Sequence, residues 1–499
     1  MKVRLSLLIA AYAVMAFGCT KTGPVVVTEK NTMTVTSDVV TESFVGNGPQ
    51  WGGYDVLNYL IGRNTLSEED WNTLFERVSF MRPQYMRIMV SRGWNYIVNG
   101  VYDPSKSDAV LCRILDYCQK NGVTVQLGEW GHIGGSSVDA EWVDDATSFL
   151  KYLVEDKGFN CIRYYTIVNE PNGSWSTVDG SYSLWQTIVK AFYARMTAKG
   201  LSGVRIMGPD VAVWSTSETG WVTNAKRNLP DEVQAYDVHA YPTDVFVHST
   251  DFLNLAKAYK AAIPSDRIIM LSEFGFKYGS NSANGIENAA RISADGYAAD
   301  DSQMMTYDSF YAVDVADATI QAMLAGCGGV VYWDLDDAMY NSDAMASKKL
   351  KKWGFWNIIG KEAYGRPEDE DIRPWFYTAS LLCRYFPSGS EIHNVELPVP
   401  VISGLRAVAG FKDGRMTVAI ANSSADTCSF SLRMEDGSPL TGIKEYWFNA
   451  KSGSLFEGRT DSRGLALPLK ENESIDFSSG KALKLRMEAR SFVLITNID

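Results

Sequence analysis

The chain has 499 residues, of which 46% are hydrophobic and 12% aromatic, enough apolar material for one large domain and a smaller one. Its 59 acidic and 47 basic residues give a net charge of −12, which disfavours nucleic acids and anionic lipid surfaces as partners. The seven cysteines show no Cys-x-x-Cys spacing, and no two of the four histidines are spaced as a shared ligand set. We therefore expect no disulfide framework, no metal site and no cofactor, and composition leaves the oligomeric state open.

The N-terminal segment has the layout of a bacterial export signal. In residues 1–18, two basic residues precede an apolar run over residues 5–17 that is too short to span a bilayer. Cys19 follows directly and resembles a lipobox cysteine, so we expect a cell-envelope lipoprotein that contacts the membrane only through this anchor, with simple secretion as the alternative. Whether it faces the periplasm or the exterior is open. Residues 19–43 are predicted to be a tether.

From residue 44 the sequence alternates short apolar runs with longer amphipathic stretches, which is the pattern of strands and helices in a β/α fold. The predicted strands fall within residues 46–54, 84–90, 123–127, 163–171, 204–207, 235–242, 267–275 and 328–334. The predicted helices fall within residues 67–81, 107–121, 140–157, 183–199, 217–228, 251–262, 302–325 and 375–385. Eight such pairs predict a TIM barrel over residues 44–386.

Two further segments stand out from this pattern. Residues 277–298 are polar and contain glycine, and we predict a long loop that covers part of the cleft, since such loops are usually functional. After Pro387 the chain changes to short alternating runs, so residues 387–499 are predicted to form an antiparallel β-sandwich domain, whose role is open.

The fourth predicted strand ends on Asn169, Glu170 and Pro171. A proline disfavours the helical backbone for the residue before it and has no amide hydrogen, so we expect an extended Glu170 at the carboxyl tip of a buried strand. Glu273 ends the seventh strand in the same way. Active sites of β/α barrels lie at these tips, and two strand-terminal glutamates suggest a glycosidase pair.

The order and spacing of these residues resemble those of a known group of enzymes. The Asn169-Glu170-Pro171 motif, His239-Ala240-Tyr241, Glu273 and Trp333 resemble the clan A retaining glycoside hydrolases over residues 44–386. Within that clan the chain is similar to families 5, 30 and 39, and a β domain behind the barrel is similar to families 30 and 39. The sequence does not choose among them.

The resemblance implies a role for each glutamate. Glu170 would be the acid/base and Glu273 the nucleophile, with carboxyl groups about 5–5.5 Å apart, whereas a separation near 7 Å or more would favour inversion. Glu170 must then hold a proton near neutral pH, which burial would favour, while Glu273 must stay ionised.

Supporting roles are implied in the same way. Asn169 would donate to the sugar 2-hydroxyl, Tyr241 would hold the nucleophile, and His239 would line the site or be an ordinary core histidine. Arg87 would keep the nucleophile ionised or serve as a structural ion-pair partner, and Trp333 would be the platform under the sugar. The residues left open between sugar contact and packing are Trp51, Trp94, Trp130, Trp175, Trp214, Glu129 and His132.

This interpretation leaves two possible functions. The first is a retaining β-glycoside hydrolase that acts on an oligo- or polysaccharide. The second is a catalytically silent surface lipoprotein that binds glycans. Retention of both Glu170 and Glu273 beside Asn169 favours the enzyme, because a binding protein has no need for the pair. The sugar, the linkage and the choice between exo and endo action are not visible in the sequence.

Overall fold

The computed structural model describes residues 31–107, 109–133, 136–340, 347–449, 459–478 and 481–499. The expected signal peptide, residues 1–18, and the expected lipidation site, Cys19, lie outside the described residues and stay predictions. Within the described ranges, no helix is both long and apolar enough to cross a lipid bilayer.

The described chain folds into twenty strands and twelve α-helices. The strands of its first half and of the barrel are β1 (Thr32–Thr41), β2 (Gly48–Pro49), β3 (Tyr85–Val90), β4 (Ile97–Val98), β5 (Val101–Tyr102), β6 (Thr124–Glu129), β7 (Ile162–Thr166), β8 (Arg205–Met207), β9 (Val211–Val213), β10 (Val233–Ala240), β11 (Ile269–Phe274) and β12 (Gly329–Tyr332). The later strands are β13 (Glu391–Glu396), β14 (Leu405–Lys412), β15 (Arg415–Asn422), β16 (Cys428–Met434), β17 (Leu440–Asn449), β18 (Lys470–Ile475), β19 (Leu483–Met487) and β20 (Ser491–Thr496). The helices are α1 (Leu57–Ile61), α2 (Glu68–Met81), α3 (Leu111–Lys120), α4 (Ala140–Lys151), α5 (Tyr182–Ala198), α6 (Thr219–Asn228), α7 (Asp244–Ser249), α8 (Asp251–Ala262), α9 (Ala283–Ala294), α10 (Ser309–Leu324), α11 (Gly360–Tyr364) and α12 (Trp375–Arg384).

The barrel is confirmed as an eight-stranded parallel sheet in the order β2-β12-β11-β10-β8-β7-β6-β3. A bridge between Gln50 and Arg87 closes the ring, and the Trp51 amide donates to the Arg87 carbonyl at 3.0 Å. The closure depends on Gly48, where a Cβ atom would lie 1.6 Å from the Tyr85 carbonyl oxygen. Only glycine permits this approach, so the glycine-rich run of the first strand is what lets the ring close.

The inside of the barrel is apolar at one end and charged at the other. An apolar cluster near the starts of β3 and β11 consists of Tyr85, Met207, Ala235, Met270 and Val331. Further along β3 and β11, the buried side chains include Arg87 and Glu273. Because parallel strands end at the same face, the charged groups gather at the carboxyl end above a packed floor.

The second domain is a nine-stranded sheet in the order β18-β17-β20-β15-β14-β13-β1-β16-β19. It is antiparallel except for the pair β1 and β16. Buried side chains from distant strands, such as Val418 and Phe430, belong to one apolar cluster, so the sheet folds over its own core and confirms the expected β domain.

The structure corrects two expectations at these boundaries. Residues 32–41 of the expected tether form β1, which lies inside the nine-stranded sheet between β13 and β16. Residues 277–298, predicted to be a loop, contain α9, a helix with no buried residue. None of its side chains is buried, so this helix adds nothing to the core of the barrel.

The outer face of the second sheet packs on α10. Val408, Ala419 and Phe492 join the core cluster of the barrel. Polar contacts reinforce the junction, because Ser423 Oγ donates to Asp317 at 2.6 Å and Arg490 donates to Asp314 at 2.7 Å. The buried faces of α10 therefore serve both domains.

Removing β1 tests the corrected boundary. A chain that begins at residue 42 should have a lower melting temperature than one that begins at Asn31, because β13 and β16 lose their shared neighbour and Met33 and Val35 lose their burial. Each buried apolar side chain contributes about 1.5–3 kcal/mol. Thermal unfolding followed by circular dichroism measures the difference. Equal melting temperatures would show that the segment is a tether after all.

Candidate active site

Polar side chains converge at the carboxyl end of the barrel in a cleft of about 440 Å³. Several strands supply them: Arg87 from β3, Asn169 and Glu170 from the segment after β7, His239 from β10 and Glu273 from β11. The residues that line the cleft are Trp130, Asn169, Glu170, Trp175, Ala212, Val213, Trp214, His239, Tyr241, Glu273, Lys277, Asp301, Trp333, Lys351 and Trp353.

Arg87 lies fully buried beneath the cleft and joins four side chains. One terminal nitrogen donates to Gln50 at 2.9 Å and to Glu273 at 2.6 Å. The other donates to Asn169 at 2.9 Å and to Asp210 at 2.8 Å. The planar guanidinium therefore fixes the relative positions of groups from four strand ends.

Glu273 is held at both of its oxygens. Arg87 donates to Oε1, and the Tyr241 hydroxyl donates to Oε2 at 2.9 Å. Both neighbours are hydrogen-bond donors, an arrangement that suits a carboxylate whose two oxygens act as acceptors. The structure thus places Tyr241 and Arg87 against Glu273, as the resemblance implied.

Glu170 departs from the extended backbone expected before Pro171. Its φ angle is +46°, and its amide donates to the Asp210 carbonyl at 3.1 Å, so the chain turns sharply at this residue. The turn directs the carboxylate towards His239, whose Nδ1 lies 3.0 Å from Oε1, while Trp175 Nε1 donates to Oε2 at 2.7 Å.

The protonation of Glu170 also differs from the expectation. Burial acts to raise the pKa of Glu170, but the hydrogen bonds and charge of His239 and the hydrogen bond of Trp175 outweigh it, so the net pKa is lowered. In the free protein Glu170 is therefore ionised at neutral pH. Withdrawing either donor would raise the pKa of Glu170 and so favour the protonated form that a proton donor needs.

His239 is a buried cation rather than an ordinary core histidine. Its Nε2 lies 2.7 Å from Asp210 Oδ1, and its Nδ1 lies 3.0 Å from Glu170 and 3.4 Å from Glu273. Burial lowers its pKa, but the charges of Asp210 and Glu273 raise the pKa of His239 to about 10. Both ring nitrogens therefore carry protons at neutral pH and donate to carboxylates.

Asp210 is the central residue that the sequence analysis did not single out. It accepts from both Arg87 and His239, and the Ser272 hydroxyl donates to it at 3.1 Å. Its signal was present, because Gly208-Pro209-Asp210 also ends a strand on a proline and an acid. The cleft residues Lys277 and Trp353 were likewise not singled out.

The two glutamates lie close together. Oxygen atoms of Glu170 and Glu273 and a ring nitrogen of His239 all lie within 4.8 Å of one another. One oxygen of Glu170 and one oxygen of Glu273 are therefore no more than 4.8 Å apart.

These three atoms also have the spacing of a candidate metal site among the described residues. The surroundings do not suit a cation, because the Arg87 guanidinium donates to Glu273 at 2.6 Å and already places a positive charge beside these atoms. The second oxygen of Glu273 accepts from Tyr241.

The structure also shows which of the tryptophans left undecided by the sequence pack in the core and which line the cleft. Trp51 is fully buried against Trp71 and Phe75, so it packs in the core. In contrast, Trp175 and Trp214 line the cleft with 62% and 59% of their surface exposed.

Trp333 and Trp130 also line the cleft. The Trp333 ring is 6% exposed and stacks on Tyr340 with centroids 5.1 Å apart. Trp94 packs edge-on against Trp130, with centroids 5.8 Å apart.

Glu129 and His132 lie outside the lining of the cleft. Glu129 is buried and accepts from the Tyr96 hydroxyl at 3.1 Å, and burial raises the pKa of Glu129 to about 8. His132 Nε2 lies 3.2 Å from Asp139 Oδ2. Both side chains therefore contact other parts of the protein outside this cleft.

Comparisons with known proteins bear on the fold. No protein-family model and no curated protein matches the chain. Among solved structures, a glycoside hydrolase family 30 subfamily 8 xylanase from Clostridium acetobutylicum matches with a TM-score of 0.60 at 13% identity, over 93% of this chain and 99% of the other. A family 39 enzyme from Xanthomonas axonopodis pv. citri matches with a TM-score of 0.60 at 12% identity, over 96% and 99%. A conserved exported protein from Bacteroides fragilis matches with a TM-score of 0.61 at 13% identity, over 93% and 100%. At this identity the likeness shows that the chain has the fold of these proteins.

The raised pKa of His239 makes a testable contribution to stability. A histidine whose folded pKa is about 10 against 6.5 when unfolded stabilises the fold fully below pH 6.5 and loses that contribution as the pH rises towards 10. The difference in unfolding free energy between wild type and His239→Gln should therefore shrink from pH 7 to pH 10. Urea unfolding at each pH measures it, with His132→Gln as the control for losing a histidine outside the buried cluster. A difference that stays constant would show that His239 is neutral in the folded protein.

Proposed function

We propose that this protein is a retaining glycoside hydrolase that cleaves β-linked glycans. The observation that carries the proposal is the close pair of strand-terminal glutamates, Glu170 and Glu273, at the open end of the barrel. Support comes from the cleft, whose exposed tryptophans suit the apolar faces of sugar rings. The named solved structures, which include a xylanase, share the fold and make β-xylosides a first choice of substrate.

In the proposed first step, the Glu170 proton passes to the glycosidic oxygen as the bond from the anomeric carbon to that oxygen breaks. An oxygen of Glu273 forms a new bond to the anomeric carbon from the opposite face. In the second step Glu170 takes a proton from water, the water oxygen bonds to the anomeric carbon, and the ester to Glu273 breaks. Two inversions give net retention.

Neighbouring residues would position the sugar. Asn169 Oδ1 accepts from Arg87, which leaves its NH₂ group to donate to the sugar 2-hydroxyl. The face of Trp333 lies in the cleft and would carry the sugar at the cleavage point. Arg87 and Tyr241 would hold Glu273 in line with the anomeric carbon.

The alternative is a catalytically silent glycan-binding lipoprotein. It is favoured by the exposed Trp175 and Trp214, which would serve binding without chemistry, and by the ionised state of Glu170 in the free protein. A silent protein, however, gains nothing from burying the ion pair between Arg87 and Glu273 at the base of a cleft, since an unneeded buried charge pair costs desolvation energy.

Chemical rescue distinguishes the two functions. Wild-type protein from Thr20 onward should hydrolyse a member of a panel of aryl β-glycosides and β-linked polysaccharides, and Glu273→Ala should lower kcat by several orders of magnitude. Azide should restore turnover of Glu273→Ala as a glycosyl azide of inverted configuration, and of Glu170→Ala as one of retained configuration. Product configuration is read by NMR. If wild type and both variants were inactive yet bound a glycan equally, the protein would be a binding protein.

We also propose attachment to the cell envelope through Cys19. The wild-type precursor should fractionate with membranes, and Cys19→Ala should release the protein, because a lipid anchor would be its route to the bilayer. Membrane fractionation followed by immunoblotting measures this, with Cys112→Ala as the control for losing a cysteine. A Cys19→Ala variant that stays bound like wild type would rule out the anchor.

A further inference from the structure

Trp175 is in an unusual position for an exposed aromatic residue. Its side chain is 62% exposed, yet its indole nitrogen donates to Glu170 at 2.7 Å. Trp214 is similarly exposed in the same cleft. Both exposed aromatic side chains therefore lie in the cleft that also holds Glu170.

The backbone that carries Trp175 is fixed. The side chain of Asn172, on the same turn, donates from Nδ2 to the Ala212 carbonyl at 2.8 Å. Its Oδ1 accepts from the backbone amide of Ala212 at 3.0 Å. The indole folds back over Gly173, where a Cβ atom would lie 2.2 Å from the ring. The folded position therefore depends on Gly173 having no side chain.

The two donors to Glu170 differ in their freedom to move. His239 is fully buried and held by Asp210 on its other nitrogen at 2.7 Å. Trp175 is exposed and touches Glu170 through a single hydrogen bond. When Glu170 must hold a proton, Trp175 is therefore the donor that can withdraw.

We propose that Trp175 alternates between two partners: it bonds Glu170 when the leaving-group position is empty and stacks on the departing sugar when that position is filled. This inference rests on the proposed hydrolase. With the sugar bound, Glu170 loses one donor to its charged form, so its pKa moves upwards and favours the proton that the leaving oxygen needs. After that sugar departs, the indole returns and Glu170 is ionised, ready to accept the proton of water.

Two variants separate the hydrogen bond from the stacking surface. Trp175→Phe keeps an aromatic face without a donor, and Gly173→Ala keeps the indole but obstructs its folded position. Both should move the alkaline limb of kcat/KM to higher pH, because that limb reports Glu170 in the free enzyme. The alkaline limb of kcat should stay in place, because in the complex the indole has already left. Trp214→Phe, which changes an equally exposed cleft tryptophan, should leave both limbs unchanged.

Loss of the stacking surface has a different signature. Trp175→Ala should raise KM for a β-linked disaccharide about tenfold, the effect of losing one apolar contact face. It should leave KM for the glycosyl fluoride of the same sugar unchanged, because fluoride brings no ring to the leaving-group position. The idea is overturned if Trp175→Phe and Gly173→Ala keep the wild-type kcat/KM profile, or if the kcat limb moves with it.

A binding measurement separates failure of this inference from failure of the proposed hydrolase. The tryptophan fluorescence of wild type minus that of Trp175→Phe should titrate with Glu170 in the absence of turnover, and the titration should disappear in Glu170→Gln. Adding a glycan that fills the leaving-group position should abolish this titration, because the stacked indole no longer contacts Glu170. Loss of the titration without turnover would leave Trp175 in its binding role and reject the hydrolase, whereas turnover with the titration unchanged would reject the role of Trp175.

Discussion

The buried guanidinium of Arg87 is the constraint on which the site depends. Burying a charge is costly unless it is paired, and Arg87 is paired with Asp210 at 2.8 Å and Glu273 at 2.6 Å with no surface exposed. His239 adds a second cation, paired with Asp210 and Glu170. Two cations among three carboxylates leave a single negative charge, so removing either cation would double the uncompensated charge.

A further acid below this cluster shows how tightly the charge is balanced. Asp237 is fully buried and bonds the Asp210 amide at 2.9 Å and Gln126 at 2.6 Å. Burial, and then the neighbouring charge of Asp210, raise the pKa of Asp237 well above its usual value. Both carboxylate oxygens of Asp237 accept hydrogen bonds, so Asp237 holds the Asp210 backbone and the Gln126 side chain in place below the cluster.

The sequence was most informative where a single strand carries the signal. The ends of the fourth and seventh strands identified Glu170 and Glu273, because a buried apolar run that stops on an acid is a local pattern. The positive φ of Glu170 and the contacts of Arg87 and His239 with Asp210 arise only when the barrel closes, so the local pattern that ends the fifth strand on Asp210 could not show them. In Thr32–Thr41, by contrast, the sequence does alternate apolar and polar residues, and this alternation buries Met33 and Val35. The alternating run is short, and the threonines and serines around it hid the strand.

In the proposed mechanism, the charge of the buried cluster stays constant through the first chemical step. With Glu170 protonated, the cations Arg87 and His239 balance Asp210 and Glu273. When Glu170 gives its proton to the leaving oxygen, it gains a negative charge as Glu273 loses one to the ester. The dipoles and charges around the reacting atoms therefore need little reorganisation, which is how a preorganised site lowers a barrier. A rigid cluster can serve both glutamates, because the negative charge moves from Glu273 to Glu170 while the total charge of the cluster stays the same. The one contact that must change, the hydrogen bond from Trp175 to Glu170, lies at the exposed edge of the cluster.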